Sequence, residues 1–342
     1  WGADGFSQAA RTKEGRERFA ASALAIVKEY GLDGIDIDWE YPGTSLAGIA
    51  SDRSDKENYT LLLAELRKTL DAYREGMLVT TAVGGDVYFA LQTDMKEASR
   101  YLDYVQLMTY DLQGGFQKVT GHHAALYHSE GNLFDACVEK AVNGFANAGV
   151  PMEKLILGVP FYSRKWDGVK GAGCRNGLGM EAETVGGYGG DYGELKESWI
   201  GKRGFIRYWD EQAKVPYLFD GETFISYEDC ESLGVKIAYL KEKQEAGAAV
   251  FITQLFFEND SFYRFLEKKN HAGITLPVCA GIMPITSAKQ LGTTVTLSGS
   301  SVPKELADII ATYGENPEDM RKAGIDYAIR QILDLKQHGA DG

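Results

Sequence analysis

Short apolar stretches alternate with helical stretches along this chain, and this alternation limits the folds that the chain can adopt. Apolar stretches typical of buried strands occupy residues 78–83, 102–110 and 155–161. Apolar side chains at helical spacing occupy residues 16–30, 58–76 and 133–148. Strands separated by helices imply βαβ units and a parallel sheet. The sequence therefore predicts an α/β fold with a parallel sheet.

The segment 33–40 is an acidic strand and the most informative single stretch. Successive side chains of a strand alternate between its faces, so Asp36, Asp38 and Glu40 project together, opposite isoleucine and tryptophan. Like charges this close raise the pKa of at least one carboxyl group, which can then serve as a general acid. Residues 41–43, Tyr-Pro-Gly, end the strand. The acids therefore lie at its carboxyl end, where α/β barrels carry their catalytic groups.

Two other interpretations of the acidic strand stay open at this point. An ordinary surface strand is one, although acids alternating with isoleucine form strands poorly. A carboxylate metal site is the other, because hard cations take several oxygen ligands. His122, His123 and His128 lie close in sequence but lack a fourth ligand, and the four cysteines show no Cys-x-x-Cys spacing. The prediction is for no metal and no cofactor.

The run Asp-x-x-Asp-x-Asp-x-Glu followed by Tyr-Pro resembles the signature strand of the family 18 glycoside hydrolases, the chitinases. Three further stretches resemble that family in the family's own order: residues 108–111, 158–164 (with Ser163 where Gly is usual) and 224–229. The resemblance covers residues 1 to about 239. It implies a TIM barrel with a small α+β insertion domain, acting on chitin or N-acetylglucosamine oligomers.

The resemblance also implies roles for individual residues in a retaining mechanism that the substrate's N-acetyl group assists. Glu40 would be the acid/base, Asp38 would hold the acetamido N–H, and Asp36 would share a proton with Asp38. Tyr110 would donate a hydrogen bond to the acetamido oxygen. Further residues are candidates for lining or supporting the sugar site: Met108, Asp111, Trp39, Tyr41, Trp1 and Arg164. Of these, an Arg is more often paired or solvated than bound to sugar.

Beyond about residue 240 the resemblance changes to methylenetetrahydrofolate reductase. It rests on residues 246–257, which contain a Thr-Gln-x-Phe-Phe motif, and on residues 273–285. Gln254 matches a folate-contacting Gln of that motif, although a polar residue at a strand end is the more common case. The flavin-binding strands have no counterpart, so hydride chemistry lacks its cofactor. The Trp that forms the floor of the chitinase sugar site is also missing, because no Trp follows Trp209.

The two resemblances predict three parts: a chitinase-like barrel part (1–166 and 221–239), an insertion domain (167–220) and a reductase-like barrel part (240–342). Six barrel strands are recognisable, whereas a closed barrel needs eight. The barrel is thus incomplete, and another chain is one way to complete it.

Two alternatives to a working hydrolase also remain. The tetrapeptide Gly-Ala-Asp-Gly occurs at residues 2–5 and 339–342, which suggests a chimera of two joined genes without independent activity. A non-catalytic, lectin-like chitin-binding protein is the other alternative. The intact pair of Asp38 and Glu40 argues against it, because binding alone needs no acid.

The composition limits the remaining partners. A net charge of −13 argues against nucleic acid, which requires a basic face. No apolar run approaches the roughly 18 residues of a membrane span. An uncharged polysaccharide is compatible with this charge. The cellular location stays open, since the chitinase resemblance implies an extracellular protein and the reductase resemblance a cytoplasmic one.

Overall fold

The computed structural model describes residues 3–244, 251–253, 255–271, 277–291 and 302–340. The chain divides into two compact units. The first comprises Trp1–Thr109, Ala136–Leu157 and Tyr239–Ala249. The second comprises Tyr110–Asp135, Gly158–Ala238 and Val250–Gly342. No helix within the described ranges combines the length and the apolar character needed to cross a bilayer.

The first unit is built on a parallel sheet. Its strands pair in chain order: β1 (Gly34–Asp38), β2 (Leu78–Gly84), β3 (Tyr104–Met108) and β4 (Leu155–Val159). The helices between and before them are α1 (Phe6–Arg11), α2 (Lys13–Tyr30), α3 (Asp55–Tyr73), α4 (Val87–Gln92), α5 (Met95–Ala98) and α6 (Val138–Asn147). The predicted alternation of strands and helices is confirmed.

The helices of the first unit begin, end and pack for local reasons. Thr12 caps α2, because its hydroxyl accepts a hydrogen bond from the Gly15 N–H at 3.0 Å. Gly31, with φ 63°, ends that helix in the left-handed conformation. Along α3 the side chains of Leu62, Leu66 and Leu70 lie four residues apart and are fully buried, as is that of Leu63. Each such burial stabilises the fold by about 1.5–3 kcal/mol.

The second unit contains an antiparallel sheet. Its elements are β5 (Tyr162–Trp166), β6 (Gly187–Asp191), α7 (Tyr192–Ser198), β7 (Ile206–Asp210), β8 (Val215–Phe219) and β9 (Phe224–Ser226). The strands pair in the order β6-β5-β9-β8-β7. These elements form a small α+β arrangement in the part of the chain where the resemblance predicts the insertion domain. The sheet reaches past the predicted limits of 167 and 220, because β9 pairs with both β5 and β8.

The sheet of the insertion domain has an apolar cluster of its own. Trp166, Tyr217 and Phe224 are buried together, with ring centroids 5.1–5.8 Å apart for the pairs that include Phe224. A buried ion pair between Lys236 and Glu228 lies beside Ser232, whose hydroxyl also donates to Glu228. The charges are thus paired inside the unit, which offsets part of the cost of burying them.

The remaining elements follow the insertion domain in sequence. They are α8 (Cys230–Gln244), β10 (Phe251–Thr253), α9 (Asn259–His271), β11 (Val278–Cys279), α10 (Lys304–Tyr313) and α11 (Pro317–Gln337). The strands β10 and β11 pair in parallel. The strands β1–β4, β10 and β11 correspond to the six predicted barrel strands, and all are present in the described part of the chain. That is two fewer than a closed (β/α)8 barrel has.

Candidate active site

The acidic strand β1 has the predicted alternation. Solvent reaches the side chains of Asp36 and Asp38, whereas Ile37 and Trp39 are fully buried on the opposite face. Glu40 follows directly after the strand and is half-buried. The three carboxylates therefore share one side of the first unit's sheet, at its carboxyl end.

Asp36 is held by side chains from the two neighbouring strands. Thr80, which lies beside it in the register of β1 and β2, donates from its hydroxyl to Asp36 Oδ1 at 2.6 Å. Gln106 donates from Nε2 to the same oxygen at 3.2 Å. Neither partner was identified from the sequence. Gln106, however, is a polar residue inside an apolar strand, on the face that carries Met108, and this was a usable signal.

The electrostatics of the row favour one retained proton. Although solvent reaches part of the Asp38 side chain, nearby protein atoms desolvate its carboxyl group, and this desolvation, together with the charges of Glu40 and Asp36, raises its pKa to about 8. Desolvation also raises the pKa of Asp36, although the Thr80 hydrogen bond opposes the rise. At neutral pH the row can therefore hold a proton that an isolated carboxylate would have lost.

The aromatic residue that follows Glu40, Tyr41, packs against the neighbouring strand. Tyr41 packs its ring against Gly84, where an added Cβ would lie 3.3 Å from Tyr41 Cε1, and edge-on to Phe89 with centroids 6.2 Å apart. Burial and the Glu40 charge raise the pKa of Tyr41, so its hydroxyl stays protonated. The peptide bond between Glu40 and Tyr41 is cis. Tyr41 thus supports the end of the strand.

The expectation that Trp39 lines or supports the sugar site is corrected in part. Its side chain is 0% exposed and stacks on Phe6 with ring centroids 5.4 Å apart. It also lies near Tyr59, at 6.1 Å between centroids. Because Trp39 faces the core side of the strand, it supports β1 from behind and cannot contact a sugar.

Met108 is half-buried at the end of β3, in register with Gly84. Trp1 and Gln254 lie outside the described residues.

The second unit contains a separate polar cluster around Asp111, which adopts a positive φ of 55°. Arg164 donates from Nε to Asp111 Oδ1 at 2.6 Å, and the Tyr162 hydroxyl donates to Oδ2 at 2.7 Å. Tyr110 packs edge-on to Tyr162, with ring centroids 6.3 Å apart. Arg164 is 6% exposed. Its Nε donates to a carboxylate, so Arg164 is paired, which is the more common role of an Arg.

His123 completes this cluster. It is fully buried, and its Nδ1 lies 3.7 Å from Asp111 Oδ1, which is beyond a regular hydrogen bond. Burial alone would raise the pKa of Asp111, but His123 and Arg164 outweigh it and hold that pKa well below its usual range. Burial lowers the pKa of His123, so the imidazole is neutral at pH 7. The sequence did not identify His123 and Tyr162 as partners of Asp111, although Tyr162 lies in one of the matched stretches.

The histidines that cluster in sequence do not gather around a common point. His122 contacts Asp210, with 2.9 Å between Nε2 and Oδ2, whereas His128 contacts Asp135 at 3.1 Å. In the ranges that the structure describes, no group of three or more His, Cys, Asp or Glu side chains is arranged to hold a metal ion.

Comparison with known proteins places this chain. Glycosyl hydrolases family 18 matches residues 1–254, and methylenetetrahydrofolate reductase matches residues 225–342. Chitinase A1 of Niallia circulans is 39% identical over 265 residues, covering 71% of this chain and 37% of that protein. Chitotriosidase-1 of Mus musculus is 33% identical over 276 residues, covering 75% of this chain and 56% of that protein. The chain thus spans well under two thirds of these relatives.

Solved structures give the same result at the level of the fold. A glycoside hydrolase family 18 N-acetylglucosaminidase from Paenibacillus barengoltzii superposes with a TM-score of 0.70 at 49% identity, covering 74% of each chain. Chitinase ChiA74 from Bacillus thuringiensis superposes with a TM-score of 0.66 at 35% identity, covering 73% of this chain and 44% of that one. The fold is accordingly of the TIM-barrel type, and the chain belongs to glycosyl hydrolases family 18.

Proposed function

We propose that the chain hydrolyses glycosidic bonds of chitin or N-acetylglucosamine oligomers with retention of configuration. The observation that carries the proposal is the row of three carboxylates on and directly after β1, in which Asp38 has a pKa of about 8 between Asp36 and Glu40. Similarity to proteins named as chitinases and as an N-acetylglucosaminidase supports this substrate class. No metal or cofactor is needed for the steps below.

In the first step Glu40 donates its proton to the glycosidic oxygen, and the bond from that oxygen to the anomeric carbon breaks. The carbonyl oxygen of the substrate's acetamido group forms a bond to the anomeric carbon, which gives an oxazolinium ion. Asp38 accepts a hydrogen bond from the acetamido N–H and shares its proton with Asp36. Thr80 and Gln106 hold Asp36 in place for this exchange. The leaving sugar departs with the proton from Glu40.

In the second step the Glu40 carboxylate takes a proton from water, and the water oxygen attacks the anomeric carbon. The bond to the acetamido oxygen breaks, the acetamide is restored, and Glu40 is protonated again. Two displacements at one carbon retain its configuration. Roles for Tyr110 at the acetamido oxygen, and for Met108 and Asp111 as substrate contacts, remain predictions from the family resemblance.

Product stereochemistry and the acetamido requirement test this function together. Proton NMR of chito-oligosaccharide hydrolysis should show the retained anomer first, before mutarotation. The matched de-N-acetylated oligosaccharide should not be cleaved, because it lacks the internal nucleophile. Initial formation of the inverted anomer, or equal cleavage of both oligosaccharides, would refute the mechanism. Binding without any turnover would instead favour a lectin-like protein.

A further inference from the structure

We propose that Asp55 is a positioning residue for Glu40, acting through the loop that follows the acidic strand. The proposal rests on the proposed function, because it assigns to Glu40 the role of acid/base. Asp55 is the first residue of α3 and is 0% exposed, although it carries a carboxylate. A buried carboxylate needs several hydrogen-bond donors to offset its desolvation. Those donors come from the loop and from α1.

The two oxygens of Asp55 have separate tasks. Oδ2 accepts the backbone N–H of Gly43 at 3.2 Å and that of Asp52 at 2.8 Å. Oδ1 accepts the hydroxyl of Ser7 at 2.7 Å. One oxygen therefore ties together both ends of the loop between β1 and α3, and the other anchors the carboxylate to α1. The amino end of α3 adds a favourable dipole for the negative charge.

This loop decides where Glu40 points. On its amino side Glu40 is fixed by Trp39, which is buried in the core. On its carboxyl side Tyr41 packs against Gly84, and Gly43 adopts a φ of 71° and donates to Asp55. Removing the Asp55 carboxylate would leave two backbone N–H groups without their acceptor. The loop would then shift, and a displacement near 1 Å can cost roughly 100-fold in rate.

Three variants separate positioning from simple stability. Asp55→Ala removes both oxygens. Asp55→Asn is the conservative rescue, because its amide oxygen can still accept from Gly43 and Asp52 while its NH2 group donates to the Ser7 hydroxyl. Ser7→Ala is the matched control, since it removes the hydrogen bond to Oδ1 and leaves the loop contacts intact. Asp55→Ser replaces Asp55→Ala if the latter does not fold, because its shorter side chain cannot reach both N–H groups.

Kinetics on the folded fraction give the first readout, with a fluorogenic chitobiose glycoside as substrate. Asp55→Ala should lower kcat by about 10- to 100-fold with KM within about 3-fold, whereas Asp55→Asn and Ser7→Ala should stay within about 3-fold of the unmodified chain. Equal losses in Asp55→Ala and Ser7→Ala, or an unchanged kcat in Asp55→Ala, would overturn the proposal.

Carboxyl NMR titration of Asp38 gives a second readout that does not need activity. The charge of Glu40 contributes to the raised pKa of Asp38, so a displaced Glu40 should lower that pKa in Asp55→Ala but not in Ser7→Ala. If the unmodified chain does not hydrolyse the glycoside, the proposed function fails while this titration still decides the positioning. An Asp38 pKa that is the same in all variants would refute the positioning role of Asp55.

Discussion

Single residues set the chemistry of this chain through their neighbours on adjacent strands. Alternation along one strand was enough to predict that Asp36, Asp38 and Glu40 share a face. Alternation could not identify Thr80 and Gln106 as partners of Asp36, because those contacts depend on the register between strands. In the same way, the pairing of Arg164 with Asp111 joins residues from separate motifs. A sequence read motif by motif does not contain these contacts.

The raised pKa of Asp38 predicts how stability changes with pH. In the unfolded chain this carboxyl titrates near 3.8, and in the folded chain near 8. Between these values the folded state binds more protons, so its stabilisation is complete below about 3.8 and is lost as pH rises through about 8. Urea unfolding from pH 4 to 9 should show this fall, and Asp38→Asn should flatten it.

The control for this experiment is Asp33→Asn, which changes an exposed acid just before the same strand. That variant should keep the pH dependence of the unmodified chain. A slope that is unchanged in Asp38→Asn would show that Asp38 does not retain its proton in the folded state.

At the scale of elements, strands and helices were predictable, but the limits of the insertion domain were less so. The strands β2–β4 were predictable because each is a short, mainly apolar run followed by a turn or helix, and β1 because its acids alternate with isoleucine. The strands β5 and β9 lie outside the predicted domain of 167–220, since a strand's sheet is set by its pairing partner rather than by its own composition. The sequence likewise does not show that Gly84, at the end of β2, leaves space for the ring of Tyr41.

Gly84 tests that space. A Cβ there would already approach Tyr41 Cε1 to 3.3 Å, so Gly84→Val should displace the ring that supports the end of the acidic strand. We expect about 1–3 kcal/mol of destabilisation in urea unfolding, with a fall in kcat measured on the folded fraction. Gly115→Ala is the control, because no atom lies within 4 Å of its added Cβ. If Gly84→Val had the stability and activity of the unmodified chain, Tyr41 would have no supporting role.

At the scale of the whole molecule, two family resemblances meet in one chain. The predicted boundary near residue 240 falls inside the stretch of 225–254 that both families match. The C-terminal part has its own buried cluster of Phe257, Ile285, Leu306 and Met320. The sequence predicted both parts because each retains local motifs. Which strand pairs with which is a question of long-range contacts that such motifs do not carry.

The reductase-like part yields a prediction about cofactor content. The flavin-binding strands of methylenetetrahydrofolate reductase have no counterpart in this sequence, so the purified chain should show no visible flavin absorption, even after reconstitution with excess flavin and removal of unbound flavin. Denaturation with analysis of the released small molecules checks for flavin that is masked in the folded protein. Flavin bound at one equivalent per chain would contradict the expectation that the reductase-like part, residues 240–342, does not support hydride transfer.

The proposed mechanism depends on Glu40 as the acid/base. The measurement that tests it most directly is release of a fluorophore from a chitobiose glycoside by the purified chain, compared with Glu40→Gln and with Glu29→Gln as an exposed control on α2. We expect activity in the unmodified chain and in Glu29→Gln, and a loss of about 10²- to 10⁴-fold in Glu40→Gln. Undiminished activity in Glu40→Gln, or no activity in folded, unmodified protein, would contradict it.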